Sequence, residues 1–344
     1  MTRVGIIGAS GYTGAELLRV LCAHPGVRIT LITSRQYEGK PLYDCYPGLS
    51  PLPFVFENHE DEKVLEKADF YFTALPHEAS AEVVAKLLAL GKRVVDLSAD
   101  FRFSDPEEYE AHYGPHPHPE LCREAVYGLS EIYGEKVKSA RLVANPGCYP
   151  TSSLLPLLPL IQEGMIDPDS IIIDAKSGVS GAGRGANQTT HFCEANESLK
   201  AYKVASHRHT PEIESHLSAA AKKPVKVVFT PHLIPMTRGM LATIYATPLR
   251  GVKRADVENI WKKFYEKTPF VEVAPKDILP DTAFVRGTNR CMMGVRDYPS
   301  CNRLVILSVI DNLAKGASTQ AIQNMNLMLG YGMAEGLSLQ TLVP

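Results

Sequence analysis

Residues 3–35, RVGIIGASGYTGAELLRVLCAHPGVRITLITSR, constrain the fold more than any other stretch of the chain. Residues 4–7 form a short β-branched run suited to a parallel strand buried on both faces. Residues 13–23 carry apolar residues at helical spacing and are closed by His24-Pro25-Gly26, after which residues 27–33 read as a second strand. Between the first strand and the helix stand Gly8, Gly11 and Gly14, spaced GxxGxxG. Gly8 and Gly11 let the backbone approach a pyrophosphate seated on the helix N-terminus, and Gly14 permits close helix–strand packing. The strand–turn–helix setting is what turns a glycine pattern into a dinucleotide-binding expectation. The end of the second strand selects the dinucleotide. An NAD site places Asp or Glu there for the ribose 2′-hydroxyl, whereas this chain has Thr33-Ser34-Arg35-Gln36, which suits a 2′-phosphate. NADP(H) is the expected cofactor.

Apolar strands recur at 69–74 and 93–97 with a helix, HEASAEVVAKLLALG, between them, and the unit closes with a strand at 141–144. This alternation predicts an α/β fold whose N-terminal part is a doubly wound parallel sheet of Rossmann type. Beyond residue 150 the pattern changes. Strands at about 170–176, 225–230, 240–247, 291–296 and 303–310 are separated by loops or longer helical stretches, as expected of an α+β domain with a mixed sheet. The last helix, NLAKGASTQAIQNMNLMLG, reads as amphipathic and ends at Gly330, a C-cap signal. A length of 344 residues suits two domains. The expected boundary falls at 147/148, beside a chemistry-bearing residue and not in a flexible linker, which implies a cleft shared by both domains.

Several function classes are disfavoured. With 36 basic against 38 acidic residues, no excess of positive charge points to a nucleic-acid or membrane surface. No apolar run reaches the ~18–20 residues of a membrane span, and a first strand beginning at Arg3 leaves no room for a signal peptide, so a cytoplasmic location is expected. Seven scattered cysteines without a CxxC argue against a disulfide framework or a structural zinc site. His112, His116, His118 and Cys122 lie in a proline-rich loop without a usual ligand spacing, so no metal is expected.

RLVANPGCYPTSSLLPLL, residues 141–158, holds the candidate nucleophile. Pro146-Gly147 forces a turn, and Pro150 suits the first turn of a helix. Cys148 then sits at a helix N-terminus, where backbone N–H groups stabilise a thiolate. A small buried cysteine is the competing reading. SGVSGAGRGANQ, residues 177–188, is rich enough in small residues to leave backbone N–H groups free as an anion-binding nest beside Arg184. In SHRHTPEIESHL, Thr210 reads as N-cap and Pro211 as the first helical residue, with His207 and His209 before the helix and Glu212 close enough to orient His209. Together these features describe acyl transfer to a thiolate followed by hydride transfer.

GASGYTGAELLRVL, PHEAS, DLSADFR, NPGCYPT, SGVSGAGR, HRHTPEI and DNLAKGASTQAIQNMN resemble the N-acetyl-γ-glutamyl-phosphate reductases of arginine biosynthesis, over residues 3 to about 333. The fold is similar to that of aspartate-semialdehyde and glyceraldehyde-phosphate dehydrogenases. The resemblance implies an NADPH-dependent reduction of N-acetyl-γ-glutamyl phosphate to the semialdehyde and phosphate. Cys148 is then the nucleophile and His209 the general acid/base, oriented by Glu212. Arg102, Asn145, Arg184 and His207 are implied substrate residues, with Arg102 and His207 aimed at the α-carboxylate. Gly8, Ser10, Gly11, Tyr12, Thr13, Gly14, Ser34, Arg35, Pro76, Ser177, Gly178 and Asn312 are implied cofactor residues. The resemblance further implies a cofactor domain over 1–147 completed by a returning C-terminal helix within 313–344. It implies a catalytic and oligomerisation domain over 148–312, and a homodimer or homotetramer. Two rivals stay open: a sister reductase acting on a carrier-bound α-aminoadipyl phosphate, and a non-catalytic NADP-sensing regulator.

Overall fold

The computed structural model describes residues 1–49, 51–249 and 251–341. The chain divides into two compact units, the first Met1–Pro146 with Ala317–Ser338, the second Gly147–Gly316 with the residues from Leu339.

The first unit is built on seven parallel strands: β1 (Thr2–Ile7), β2 (Val27–Thr33), β3 (Phe56–Glu57), β4 (Phe70–Thr73), β5 (Arg93–Asp96), β6 (Val126–Tyr127) and β7 (Leu142–Ala144). Their order is β3-β2-β1-β4-β5-β7-β6, and every pairing is parallel. The order reverses between β1 and β4, so the glycine turn after β1 lies at the switch point where such sheets bind ligands. Val4, Ile6 and Ile7 of β1 and Phe70, Tyr71 and Phe72 of β4 are fully buried, as a sheet covered on both faces requires. The two-residue strands β3 and β6 are too short to carry a periodic signal and were not anticipated.

Two sequence expectations are corrected in this unit. The helix read over 77–91 covers only Ala81–Ala89. Residues before it are held out of the helix by the Asp100 carboxylate, which accepts the N–H groups of Glu78, Ser80 and Ala81 at 2.9, 3.2 and 3.1 Å, while Glu78 takes a φ of 70°. The last helix, Thr319–Leu329, does end at Gly330 in the left-handed conformation, but it is not amphipathic in its setting: residues 319–328 are all buried. Its polar side chains have found partners inside. Gln320 Nε2 donates to the Gly128 carbonyl at 2.9 Å, Gln323 Nε2 to Glu131 at 2.8 Å and Asn324 Nδ2 to Gly128 at 2.8 Å.

The second unit has a mixed sheet of seven strands: β8 (Ile166–Gly178), β9 (Lys200–Ala201), β10 (Val228–Ile234), β11 (Met240–Pro248), β12 (Val271–Val273), β13 (Cys291–Tyr298) and β14 (Arg303–Ile310). Their order is β12-β13-β14-β11-β8-β10-β9. Along β11, Met240, Ala242, Ile244 and Ala246 are fully buried, and the residues between them are not. The buried face receives the helix Cys148–Gln162, whose residues 149–161 are all buried. That helix contains Pro156 and Pro159. Pro159 cannot donate the N–H that Leu155 would accept. The vacancy is filled from outside the helix: Tyr265 Oη donates to the Leu155 carbonyl at 2.6 Å, and Trp261 Nε1 donates to that of Pro156 at 2.9 Å.

Tyr265→Phe removes only the hydroxyl and leaves a buried carbonyl unsatisfied. Unfolding in urea is expected to show a loss of about 1–3 kcal/mol. A midpoint equal to wild type means that water or a neighbouring group replaces the bond.

Candidate active site

The first group of predicted residues surrounds the glycine turn. Gly8 has a φ of +85°, and a Cβ there would stand 2.5 Å from the Ala74 carbonyl oxygen. A Cβ on Gly14 would stand 2.5 Å from Ala9 Cα. These two glycines are therefore required by the protein's own packing. Gly11 is different. A Cβ there would meet nothing nearer than the Gly8 oxygen at 3.7 Å, so the protein's own packing does not explain this glycine. Gly11 caps the helix Tyr12–Leu21, which has no acidic residue in its first turn to compete with an anion. Tyr12 and Thr13 open that helix. Ser10 and Ser34, from the turns after β1 and β2, share a hydrogen bond of 2.8 Å between their hydroxyls. Arg35 follows, exposed and paired to Glu60 at 2.9 Å, an ion pair weak enough to be exchanged for a phosphate. The turn, the helix end and the Ser34–Arg35 corner fit a 2′-phosphorylated dinucleotide.

The PHEAS and DLSADFR motifs build the neighbouring loops after β4 and β5. Asp96 is fully buried and accepts the hydroxyls of Thr73, Ser80 and Ser98 at 2.6, 2.5 and 2.5 Å. Burial raises the pKa of both Asp96 and Asp100, and the neighbouring Asp100 raises that of Asp96 further. Pro76 lies exposed at the tip of the first of these loops. Arg102, read as a substrate residue, is buried. Its Nε donates to the Asn145 carbonyl at 2.8 Å and its Nη2 to that of Leu97 at 3.0 Å. Asn145 is likewise engaged by protein, its Nδ2 donating to the Ala317 carbonyl at 3.0 Å and its Oδ1 accepting from Asn324 at 3.1 Å.

The second group lies in the second unit. Cys148 is the first residue of its helix and is half-buried. Gly147, its N-cap, donates its N–H to Glu212 Oε1 at 3.0 Å. Glu212 is itself buried in the first turn of the helix His209–Ala221. One carboxylate thus joins the N-termini of the two helices that carry Cys148 and His209. The second helix begins two residues earlier than read: His209, and not Pro211, is its first residue. The reason is His207, whose Nδ1 accepts the His209 N–H at 3.1 Å, doing the work assigned to the threonine.

Aromatic rings enclose the two histidines. His207 meets His209, Tyr149, Tyr202 and Phe229 edge-on at centroid distances of 4.9, 5.4, 5.4 and 5.4 Å. Burial, with Lys203 and Arg208 nearby, pushes the His207 pKa down to about 4, so this ring is neutral at pH 7. Tyr202 Oη donates to Tyr149 Oη at 3.1 Å. Burial raises both phenols, Tyr202 to about 12, and a charge on Cys148 raises them further. Tyr149 and Tyr202 were missed by the sequence reading, although Tyr149 stands inside the quoted NPGCYPT motif.

The nest expected over 177–188 is corrected in its first part. The N–H groups of Gly178, Val179 and Ser180 donate to the carbonyls of Gly239, Met236 and Thr237 at 2.9, 2.9 and 3.1 Å. A Cβ on Gly178 would stand 2.7 Å from the Thr237 oxygen. Small residues serve here to let two loops pair closely. Ser177 is buried at the end of β8, its hydroxyl donating to the Gly178 carbonyl at 3.0 Å, and Arg184 lies exposed beyond. Asn312 stitches the same loops, accepting the Gly239 N–H at 2.8 Å and donating to Ser180 Oγ at 2.9 Å. Among the described residues no group of three or more His, Cys, Asp or Glu could hold a metal ion.

Sequence models of two semialdehyde dehydrogenase domains match the chain, the NAD binding domain over residues 3–140 and the dimerisation domain over 148–312. An N-acetyl-gamma-glutamyl-phosphate reductase from Pelobacter propionicus is 52% identical over all of both chains, and one from Geotalea daltonii 53% identical over 99% of each. The fold resembles an aspartate semialdehyde dehydrogenase II from Vibrio cholerae, with a TM-score of 0.71 at 18% identity over 96% of this chain and 98% of that one. An aspartate semialdehyde dehydrogenase with NADP from Candida albicans gives 0.71 at 14% identity, over 96% and 98%. The class is thus that of the semialdehyde dehydrogenases. Within it, the chain belongs to the N-acetyl-gamma-glutamyl-phosphate reductase family.

Fluorescence titration is expected to show a clear preference for NADPH over NADH. Arg35→Asp is expected to weaken NADPH binding at least tenfold, or about 1.4 kcal/mol, while sparing NADH. Equal affinity of the wild type for both cofactors would contradict the reading of the Ser34–Arg35 corner.

Proposed function

We propose that this chain reduces N-acetyl-L-γ-glutamyl phosphate to N-acetyl-L-glutamate 5-semialdehyde and phosphate with NADPH, through a thioester on Cys148, in L-arginine biosynthesis. The observation that carries the mechanism is the hydrogen bond from Gly147 to Glu212, which ties the helix start bearing Cys148 to the helix start bearing His209.

The Cys148 thiolate attacks the acyl carbon, favoured by the helix N-terminus on which it stands. N–H groups of that first turn stabilise the oxyanion, the C–O bond to phosphate breaks, and a thioester remains. NADPH, when bound, supplies the hydride that reduces this acyl group to a thiohemiacetal. His209 gives the developing alkoxide its proton and takes it back as the C–S bond breaks, releasing aldehyde and regenerating the thiolate. Glu212 keeps both helix starts in register. His207, being neutral, offers the substrate one N–H and no charge. Arg102, Asn145 and Arg184 remain the proposed substrate residues, of which Arg184 is the one offered for direct contact. Arg102 and Asn145 act through the backbone they hold, since both are already bonded to protein. Residues 1–147 with 313–344 form the proposed cofactor domain, and residues 148–312 the catalytic and oligomerisation domain.

The partners proposed are the acyl phosphate and further copies of the chain, as a homodimer or homotetramer. On the uncovered face of the second sheet, Val228 and Ile172 stand opposite each other at 60% and 40% exposure, beside Tyr245 and Val305. Such a contiguous apolar surface favours self-association, as does the match to a dimerisation domain. A monomeric mass in solution at micromolar concentration would overturn this. A cytoplasmic setting is favoured by the absence of disulfides among the described cysteines. No helix among the described residues is long and apolar enough to cross a membrane.

Protein mixed with the acyl phosphate, without NADPH, is expected to carry one acyl group on the Cys148 peptide by mass spectrometry, and Cys148→Ser none. Acylation elsewhere ends the assignment. His209→Asn is expected to lower kcat by about 10²–10⁴ with NADPH affinity unchanged. Assays with acetylglutamyl, aspartyl and aminoadipyl phosphates fix the substrate, and a higher kcat/KM for either of the latter two refutes the one named.

A further inference from the structure

The DNLAKGAS segment holds a carboxylate that the mechanism above does not use. Asp311 is fully buried at the end of β14. Its Oδ1 accepts the N–H groups of Leu313 and Ala314, both at 2.9 Å. Its Oδ2 accepts the N–H of Gly287 at 2.7 Å. Arg238 lies across both oxygens, Nε to Oδ2 at 2.9 Å and Nη2 to Oδ1 at 3.0 Å. The Asp311 carbonyl in turn accepts the Gly316 N–H at 2.9 Å, a bond across five residues that opens the π-helical turn Ala314–Ser318. Single π turns of this kind are uncommon and concentrate at functional sites.

The turn ends against the nucleophile. A Cβ on Gly316 would stand 2.7 Å from Cys148 Cβ and 3.2 Å from Cys148 Cα. Only a glycine lets this backbone lie directly on the cysteine. We infer that Asp311, clamped by Arg238, is a positioning residue for Cys148: it fixes the π turn whose Gly316 forms the wall against which the nucleophile is set. A buried carboxylate bonded to three N–H groups and a guanidinium fork is a rigid anchor. Without it, the N–H groups of residues 313 and 314 lose their acceptor, and the turn is free to relax toward ordinary helical pairing. The inference rests on Cys148 being the nucleophile.

The test uses the full-length protein. Asp311→Asn keeps the size and one acceptor oxygen but loses the charge and the bidentate pair. We expect kcat to fall about 10²-fold, as a displacement of about 1 Å at a reacting group commonly produces, with KM and NADPH affinity within about threefold. The rate of Cys148 alkylation by iodoacetamide, followed against pH, is expected to change as well. A purely structural role would lower the melting temperature and leave that profile in place. Gly316→Ala probes the same wall should the asparagine variant not fold, and is expected to show the same kcat loss. Wild-type kcat and an unchanged alkylation profile in either folded variant overturn the inference, as does a loss confined to KM. If Cys148→Ser retains activity, the nucleophile assignment fails, and the alkylation profiles still decide whether Asp311 positions the cysteine.

Discussion

The hydrogen bond from the Gly147 N–H to Glu212 governs the arrangement of the second unit, because it solves two problems with one group. The first N–H groups of a helix have no partner within it, and those around Cys148 begin at a half-buried position. A carboxylate buried as completely as Glu212 needs hydrogen-bond partners to replace the water it has lost. Here it stands in the first turn of its own helix, where the backbone field favours an anion, and accepts an N–H from the other helix start. Each helix end stabilises what the other needs. The placement of the two side chains proposed to carry the chemistry then follows from the backbone, since Cys148 and His209 are the first helical residues of their respective helices.

The same economy of buried polar groups recurs in the first unit. The helix Thr319–Leu329 buries two glutamines and two asparagines. Asn326 Oδ1 pairs with His24 Nε2 at 2.9 Å, and Asn324 bridges the Gly128 carbonyl and Asn145. Burying amides is tolerated only when they are hydrogen-bonded. Once they are, they admit a single register, which an all-apolar face would not enforce. Asn145 is held by this network three residues before Cys148 in sequence. Asn145 is therefore fixed partly by a helix far along the chain.

Much of this was legible from residue order. The β1 turn, the parallel sheet, the NPGC helix start and the C-cap at Gly330 all follow from local patterns, because glycine, proline and β-branched runs act on the backbone nearby. What was not legible depended on partners distant in sequence. Polar residues of the last helix read as a solvated face because nothing local shows that Gly128, Ser130 and Glu131 await them. Small residues at 178–180 read as a nest because the carbonyls of 236–239 that occupy their N–H groups lie some sixty residues away. The late start of the helix Ala81–Ala89 came from Asp100, and the early start of the helix His209–Ala221 from a histidine side chain standing in for the expected threonine. Substrate residues were the least legible. Arg102 has the chemistry of a carboxylate ligand, and only the structure shows that two backbone carbonyls already hold it.

With Cys148 as the proposed nucleophile, the charge around it sets a further condition on the substrate. Glu212 and Asp311 are both carboxylates buried in the second unit, Arg238 pairs with Asp311, and Lys315 is a fully buried cation of the same unit. His207, with its pKa near 4, adds no cation. Its neutrality has a local cause, since desolvation and the neighbouring Lys203 and Arg208 all act against protonation. At the start of the helix Cys148–Gln162 the backbone N–H groups of the first turn supply dipoles. Dipoles fixed by a buried framework stabilise an oxyanion that appears and disappears within one turnover without holding a product anion tightly afterwards. Under the proposed mechanism, attraction for the phosphorylated substrate falls to exposed cations, for which Arg184, Lys203 and Arg208 are the candidates. At the surface, salt and water weaken their hold, so they can steer an anion inward and still let inorganic phosphate leave.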